Sequence, residues 1–396
     1  MKKTLTVILS FAICIAAWAK PDPIDVKFGP WVTNVTESSF TVLWTTDTDN
    51  LGWVEVTPVL DKSWKKCDAK QFYQTFAGRR EFGKLHSVTV TGLEKGTLYR
   101  YRVCGRKVID DTLEQDLVFG MEKCTGAFSV RTFDSGKDEC HFSVVNDIHL
   151  DTGAYSSLMS QVCADSTDFI LLNGDIVTAG NYPVDTLIYY SIVPLGKLLK
   201  SVPVMYSRGN HEGRGNNWQA QYKVFPTSTC NQFYYTFREG PVAFLVLDAG
   251  ETKPAVSRSY VGTAAYEDYL AEELAWAESA VKDPAFAEAP VKICVIHVPM
   301  TGKSDSLDYN AQAWMKDNFI PFLNGIGIDF MLNAHTHKYR LIEPGTTYGN
   351  KFPMLVNGRC ERMQFDIDAH TIRIKVFNTD GEQTQTYDLP LLRCAP

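Results

Sequence analysis

The sequence has 396 residues, of which 45% are hydrophobic and 21% are charged. This composition is typical of globular proteins and excludes disordered and fibrous chains. The formal net charge of −7 excludes a protein that holds long nucleic acids or anionic membranes by charge alone, but it leaves room for a small phosphorylated substrate at a metal site.

Residues 1–19 have the pattern of a secretory signal peptide. Two lysines precede an apolar run over 5–17, and residues 17–19 (Ala-Trp-Ala) fit the small-x-small cleavage rule. The apolar run is shorter than the ~20 residues of a membrane-spanning helix, and no later stretch of sequence is long and apolar enough to span a bilayer. We therefore expect a mature chain without a transmembrane segment, secreted into the periplasm or the extracellular space.

The spacing of the cysteines does not indicate a metal site. Nine of the ten remain after cleavage, and an odd number leaves at least one thiol free or paired between chains. No CxxC spacing is present, so a cysteine zinc site is not expected. Because export permits disulfides, Cys104 and Cys124 can close a hairpin, whereas Cys294 lies in an apolar run and is expected to be a buried free thiol.

Residues 20–133 are predicted to form an all-β domain. Short runs in which apolar and polar residues alternate are separated by Gly, Asp and Asn, which indicates a β-sandwich. These runs cover 39–45, 53–56, 88–93 and 99–103. The stretch from Leu93 to Tyr99 resembles the tyrosine corner of immunoglobulin-like and fibronectin type III domains.

Residues 134–396 are predicted to form a second, α/β domain, which begins with a polar linker over 134–139. Apolar strand-like runs alternate here with longer helical stretches, and the tail from 352 to 393 returns to β patterning. The helical stretches are predicted at 153–164, 185–200, 262–282 and 308–323.

Five short polar segments follow strand-like runs of this second domain. They are Asn146-Asp147-Ile148-His149, Asn173-Gly174-Asp175, Gly209-Asn210-His211-Glu212, His297 and Ala334-His335-Thr336-His337. Loops at the carboxyl ends of strands are where α/β folds place their sites. Five of the eight histidines lie in these segments, which favours a metal site, whereas the isolated His86, His141 and His370 are expected to be structural.

The residue types in these segments suit hard and borderline metal ions. Imidazole and carboxylate ligands bind Zn, Mn and Fe. In an extended segment residues i and i+2 point the same way, so Asp147 and His149 are expected to reach one ion together, and His335 and His337 have the same spacing. A single carboxylate can bridge two ions, and Asp175 is the candidate, with Gly174 allowing close backbone approach.

The order DxH, GD, GNHE, single His and HxH over about 140–340 resembles the calcineurin-like metallophosphoesterase superfamily. The resemblance implies a four-layer α/β/β/α sandwich with two metal ions, one held by Asp147, His149, Asp175 and His337, the other by Asp175, Asn210, His297 and His335. It also implies that His211 faces the substrate phosphate as an acid or charge stabiliser, and that Glu212 orients His211.

A fibronectin-like domain before such a catalytic domain is similar to the purple acid phosphatases. Their second motif has a tyrosine ligand where this chain has Thr178, and their first motif lacks a counterpart of His149. The iron–tyrosine bond that colours those enzymes is therefore not expected. Ala334 also replaces the glycine that is usual in the last motif.

The resulting hypothesis is a secreted phosphoric ester hydrolase that uses two ions of Fe, Mn or Zn to activate hydroxide for attack on a phosphate mono- or diester. The metal ligands do not separate phosphatase from phosphodiesterase. The candidate substrate contacts are Arg214, Tyr182, Trp218 and Tyr339. For each of them the equally weighted alternative is an ordinary surface-loop residue.

The alternative to an enzyme is a binding protein that kept the fold and lost catalysis. It ranks lower because all seven expected ligands are present. The N-terminal domain is expected to brace the active site. The alternative is that it binds a glycan, a protein partner or a subunit.

Overall fold

The structure is a computed structural model that describes residues 24–58, 69–112, 116–301 and 311–391. The predicted signal peptide, Cys67, Cys394 and the start of the predicted helix 308–323 lie outside these residues. Within the described ranges, no helix has the length and apolar character needed to cross a membrane.

The described residues contain more strand than helix. Its strands are β1 (Val26–Thr33), β2 (Ser39–Pro58), β3 (Lys70–Tyr73), β4 (Thr75–Phe76), β5 (Arg79–Arg80), β6 (Phe82–Thr91), β7 (Leu98–Asp110), β8 (Val118–Phe119), β9 (Lys123–Cys124), β10 (Phe128–Arg131), β11 (Glu139–Val145), β12 (Phe169–Asn173), β13 (Val204–Ser207), β14 (Tyr235–Glu239), β15 (Val242–Val246), β16 (Val291–Val295), β17 (Phe330–Asn333), β18 (Arg340–Ile342), β19 (Met354–Val356), β20 (Arg362–Asp368), β21 (Thr371–Phe377) and β22 (Gln383–Pro390). Its α-helices are α1 (Thr152–Ser160), α2 (Val184–Ser191), α3 (Ala220–Val224), α4 (Tyr266–Ala280), α5 (Pro284–Ala287) and α6 (Ala311–Ile326).

The N-terminal part is an all-β domain, as predicted. Strand β2 pairs with β1, β6 and β7, all antiparallel. The runs predicted at 39–45 and 53–56 belong to one long strand, because a register shift between Thr45 and Asn50 lets β2 bend without ending. The tyrosine corner is present: the backbone N–H of Glu94 donates to the Tyr99 hydroxyl at 2.9 Å.

Cys104 and Cys124 form a disulfide between β7 and β9, which confirms the predicted hairpin closure. Replacing both by serine is expected to lower the free energy of unfolding by about 3 kcal/mol, because the bridge joins residues 20 apart in the unfolded chain. Urea unfolding of the variant and of Cys230→Ser, which changes an exposed free thiol, measures this difference. Equal stability of the two variants would contradict the expectation.

The C-terminal part packs two sheets face to face around aromatic rings. The first sheet contributes parallel β11, β12 and β13 with antiparallel β20, β21 and β22, and the second runs β14-β15-β16-β17-β19-β18. Between them the Phe142 ring stacks on Phe169 at 4.8 Å and on Phe365 at 4.6 Å, and meets Phe244 edge-on at 5.3 Å. Burial of such large apolar side chains is the main force that holds the sheets together.

Helices cover the outer face of each sheet, which confirms the predicted four-layer α/β/β/α sandwich. Helices α1 to α3 pack on the first sheet through one apolar cluster, and α4 to α6 pack on the second through another. The helix predicted at 185–200 is in fact α2 followed by a 3-10 segment, Val193–Lys200, in which Gly196 has φ 58°. Proline at the start of that segment and glycine inside it prevent one continuous α-helix.

The N-terminal and C-terminal parts share a sheet and a core. Strand β1 pairs in parallel with β13, so the first sheet runs without interruption from one part into the other. The fully buried Trp31 belongs to the cluster under α1 to α3, and its indole N–H donates to the carbonyl of Val224 at 3.1 Å. The Tyr101 hydroxyl donates to the carbonyl of Lys200 at 3.0 Å.

Candidate metal centre

All five polar segments lie just past parallel strands at one edge of the sandwich. Asp147 and His149 follow β11, Asp175 follows β12, Asn210 and His211 follow β13, His297 follows β16, and His335 and His337 follow β17. The carboxyl ends of parallel neighbours lie side by side in a sheet. Because the two sheets are packed face to face, the carboxyl ends of β11 to β13 meet those of β16 and β17 at this edge.

The backbone at these residues is left-handed rather than extended. The φ angles are 50° at Asp147, 47° at His149, 53° at Asp175, 72° at His335 and 59° at His337. Our prediction that i and i+2 converge because the segments are extended is therefore wrong in its local geometry. Non-glycine residues occupy this region at a cost of about 1–3 kcal/mol each and concentrate at functional sites, where surrounding contacts hold them.

Two glycines allow the segments to approach closely. A Cβ added at Gly174, where φ is 78°, would lie 2.5 Å from Nδ1 of His297. A Cβ at Gly209 would overlap the backbone nitrogen and the carboxylate of Asp175. The close approach predicted for Gly174 is thus present. Gly209 must also lack a side chain, because Asp175 lies directly against it.

Each aspartate of the cluster has one oxygen anchored and one directed at the histidines. Oδ2 of Asp147 accepts from the backbone N–H of His335 at 3.0 Å, and Oδ1 of Asp175 accepts from the backbone N–H of His211 at 2.9 Å. The other oxygens face imidazoles: Asp147 Oδ1 lies 3.4 Å from Nε2 of His337, and Asp175 Oδ2 lies 3.2 Å from Nε2 of His297. Asp147 Oδ1 is buried and has no hydrogen-bond partner.

The potential ligand atoms form three overlapping groups, each within 4.8 Å. These are Asp147 with His149 and His337, His149 with Asp175 and His211, and Asp175 with His297 and His335. Asp175 joins the groups on the two sides. The Nε2 atoms of His149 and His337 face one another at 3.0 Å, a spacing that suits two lone pairs directed at a shared cation.

His297 has the environment of a metal ligand. It is fully buried, its Nδ1 donates to the carbonyl of Asn173 at 2.7 Å, and its Nε2 has no hydrogen-bond partner. Burial opposes protonation, but the charges of Asp175 and Asp147 outweigh it and raise the pKa of His297 to about 10. A positive charge is therefore favoured at Nε2, and a metal cation can replace the proton there.

Asn210 and His335 complete the group on the His297 side. Oδ1 of Asn210 lies 2.9 Å from Nδ1 of His335, while its Nδ2 donates to Oε1 of Glu251 at 3.0 Å. This second bond fixes the amide so that its oxygen faces the cluster. Burial, then the charge of His297, lowers the pKa of His335 to about 4, so its imidazole is neutral as a ligand must be.

His211 is held between a carbonyl and a guanidinium. Its Nδ1 donates to the backbone oxygen of Thr178 at 2.9 Å, and its Nε2 accepts from Nη1 of Arg214 at 2.9 Å. Nε2 also lies 3.9 Å from Asp175 Oδ2, so the ring is at the edge of the cluster.

Glu212 does not orient His211 as the resemblance implied. Its buried carboxylate instead accepts from the backbone N–H groups of Asp175 at 3.0 Å and Ile176 at 2.7 Å. It therefore holds the loop that carries Asp175, while Thr178 and Arg214 hold His211.

A profile of the calcineurin-like phosphoesterase family matches residues 141–339, and a profile of the N-terminal domain of purple acid phosphatases matches residues 28–115. The chain belongs to the calcineurin-like phosphoesterase family. The match spans all five segments of the cluster, and the family implies metal ions as cofactors.

Purple acid phosphatases from two plants are similar to this chain. Purple acid phosphatase 15 of Arabidopsis thaliana is 25% identical over 290 residues, which cover 65% of this chain and 49% of that protein. The chain thus spans about half the length of this curated relative. The structure of purple acid phosphatase PPD1 from yellow lupin (Lupinus luteus) seeds matches with a TM-score of 0.66 and 13% identity, over 91% of this chain and 74% of that one, which shows a common fold.

The four side chains predicted to contact a substrate lie in different surroundings. Arg214 touches His211, and the Tyr182 hydroxyl lies 2.8 Å from Oγ1 of Thr178. Trp218 is 40% exposed and lines a cavity of roughly 700 Å³ with Tyr260 and other aromatic side chains. Tyr339 instead stacks on Tyr387 of the last strand and packs against the main core.

Two side chains that contact the predicted ligands were not predicted from the sequence to be functional. Asn146 donates to Oδ2 of Asp147 at 2.8 Å, and Glu251 accepts from both Asn210 and Arg214. A signal existed for Glu251, since it lies just past the parallel strand β15, as the predicted ligands lie past theirs.

Proposed function

We propose that this chain is a secreted phosphoesterase that hydrolyses phosphate mono- or diesters with two metal ions. The observation that carries the proposal is a buried carboxylate oxygen of Asp147 and a buried imidazole nitrogen of His297 that lack hydrogen-bond partners and lie 3.9 Å from one another. Buried polar atoms without hydrogen bonds are costly, and two neighbouring cations would satisfy both atoms.

The residues fit two ions that share Asp175. In this proposal Asp147, His149 and His337 hold one ion with Asp175, and Asn210, His297 and His335 hold the other with it. When bound, such ions supply the charge that polarises a phosphate and the acidity that makes hydroxide available near neutral pH. Fe, Mn and Zn all suit this set of imidazole, carboxylate and amide ligands.

The chain's own side chains have three tasks in the proposed reaction. Arg214 presents a guanidinium to the phosphate oxygens, a geometry that phosphate recognition favours. When a phosphate oxygen takes over the Nη1 hydrogen bond of Arg214, Nε2 of His211 is free to hold a proton for the leaving oxygen or to stabilise its charge. Glu212 keeps the Asp175 loop in place.

The N-terminal part, 20–133 in this proposal, is a fibronectin type III-like domain that braces the catalytic domain over 134–396. The Tyr99 corner supports the first assignment. The β1–β13 pairing and the burial of Trp31 in the catalytic core support the second. The predicted signal peptide supports secretion.

Hydrolysis of p-nitrophenyl phosphate and of its bis-ester tests the function. Protein loaded with Mn, Zn or Fe is expected to cleave at least one of them, and chelator-treated protein to cleave neither until metal is restored. Metal at one hundred times its Kd should also raise the free energy of unfolding by about 2.7 kcal/mol. Cleavage of the monoester alone identifies a phosphatase, and cleavage of the bis-ester identifies a phosphodiesterase. Two bound ions without cleavage of either ester would contradict the proposal.

A further inference from the structure

The carboxylate of Glu251 lies behind the candidate metal centre and is fully buried. It follows strand β15 by five residues and belongs to none of the five segments that carry the predicted ligands. Its two oxygens accept hydrogen bonds from a proposed metal ligand, from a cationic side chain and from a tyrosine.

The Oε1 atom of Glu251 binds both the proposed metal ligand Asn210 and the cationic side chain of Arg214. It accepts from Nδ2 of Asn210 at 3.0 Å and from Nη2 of Arg214 at 3.0 Å. The backbone N–H of Thr252 adds a third bond at 2.8 Å. The Asn210 bond decides which end of the amide faces the cluster, because the amide nitrogen can only donate and the oxygen can only accept.

The Oε2 atom completes a two-point clamp on Arg214. It accepts from Nε of Arg214 at 2.6 Å and from the Tyr260 hydroxyl at 3.0 Å. Together with the Nη2 bond to Oε1, this is the bidentate fork geometry of strong arginine–carboxylate pairs. The clamp directs Nη1 of Arg214 towards His211.

We infer that Glu251 is a positioning residue of the proposed reaction, which sets both the metal-facing oxygen of Asn210 and the phosphate-facing guanidinium of Arg214. The inference rests on the proposed function. It adds a residue outside the ligand segments that holds a metal ligand and an anion-binding side chain through one carboxylate.

Glu251→Gln tests the inference, because glutamine keeps the shape and replaces one acceptor oxygen by a donor. Either orientation of the new amide places an NH2 group against donors from Asn210, Arg214 or Tyr260. We expect affinity for the more weakly bound metal ion to fall about 10–100-fold, as for other residues that orient metal ligands. We also expect weaker binding of inorganic phosphate to the metal-saturated protein.

Single replacements of Asn210 and Arg214 separate the effect of Glu251 on metal binding from its effect on phosphate binding. Asn210→Ala is expected to weaken metal binding, and Arg214→Ala to weaken phosphate binding while the metal content stays the same. Glu251→Gln should show both losses. A merely structural role would lower thermal stability and leave the metal titration and the phosphate Kd unchanged.

Glu273→Gln is the matched control. Glu273 is also a fully buried carboxylate, but it accepts from the backbone N–H of Asp248 at 2.7 Å, away from Asn210 and Arg214. Its variant should match the wild type in metal and phosphate binding. Should Glu251→Gln fail to fold, Glu251→Asp keeps the charge on a chain one methylene shorter, which cannot reach both partners, and the same two losses are expected.

Wild-type affinities for both metal and phosphate in the Glu251 variants would overturn the inference. That outcome is distinct from failure of the proposed function. A wild-type protein that binds two ions but hydrolyses no ester contradicts the function, whereas the metal titration of Glu251→Gln still measures the role of Glu251.

Discussion

Asp175→Asn is expected to lower kcat/KM for the preferred ester by about 10³-fold or more, because the variant loses the negative charge shared by both sides of the metal centre. Asp175 Oδ2 lies 3.2 Å from Nε2 of His297 and 3.9 Å from Nε2 of both His149 and His211. The asparagine amide is neutral, and one of its two orientations places an NH2 group where the cations should bind. Tightly bound metal, measured by elemental analysis after gel filtration, should fall with activity.

Asp283→Asn is the control for the Asp175 experiment. Asp283 caps helix α5 by accepting from the backbone N–H of Ala285 at 2.8 Å, and asparagine caps helices about as well as aspartate. This variant should keep its metal, activity and stability. An Asp175→Asn protein with two tightly bound ions and wild-type turnover would show that Asp175 does not bridge.

His211→Ala is expected to lower kcat by about 10²–10³-fold on an alkyl phosphate while both metal ions remain bound. The imidazole lies at the edge of the cluster, with Nδ1 fixed by Thr178 and Nε2 on the side of Arg214 and Asp175. If His211 donates a proton to the leaving oxygen, an aryl phosphate with a good leaving group should lose much less activity. If it stabilises charge on the phosphate, both esters should lose activity equally.

His370→Ala provides the comparison for His211→Ala, since His370 is an exposed histidine next to β21 and was predicted to be structural. It should behave as the wild type towards both esters. Loss of one metal ion from His211→Ala would make His211 a ligand, against our assignment, and unchanged turnover would remove it from the reaction.

The positions of the site residues could be predicted from the sequence because two independent patterns coincide. Apolar runs mark strands, and histidines or carboxylates directly after them mark the edge where parallel strands end. The structure brings Asp147, Asp175 and His297 together at that edge. The isolated His86 was expected to be structural, and it is buried and stacks on Trp44 at 4.7 Å.

Local backbone geometry could not be predicted in the same way. The left-handed φ values at Asp147 and His149 are imposed by contacts with the 174–176 loop, such as the bond from the Asp147 N–H to the carbonyl of Gly174 at 3.0 Å. Intrinsic preferences disfavour this conformation for both residue types, so a sequence pattern predicts extended backbone instead.

Contacts between distant segments also escaped the sequence analysis. Glu212 adjoins His211 in sequence, yet its side chain turns to the backbone of Asp175 and Ile176. Glu251 is 41 residues from Asn210 and 37 from Arg214, and its place after a strand does not indicate that these two residues are its partners. Only the packing of β15 beside β16 brings it to the site.

The continuous sheet through β1 and β13 has a consequence for how the protein loses its activity on heating. Trp31 and Tyr101 belong to the N-terminal part but donate hydrogen bonds to the carbonyl groups of Val224 and Lys200 in the C-terminal part. Separation of the two parts would expose this shared core to water at a high free-energy cost. We therefore expect the N-terminal and C-terminal parts to melt as one cooperative unit, and we do not expect the N-terminal part to be an exchangeable module that another fusion partner could replace.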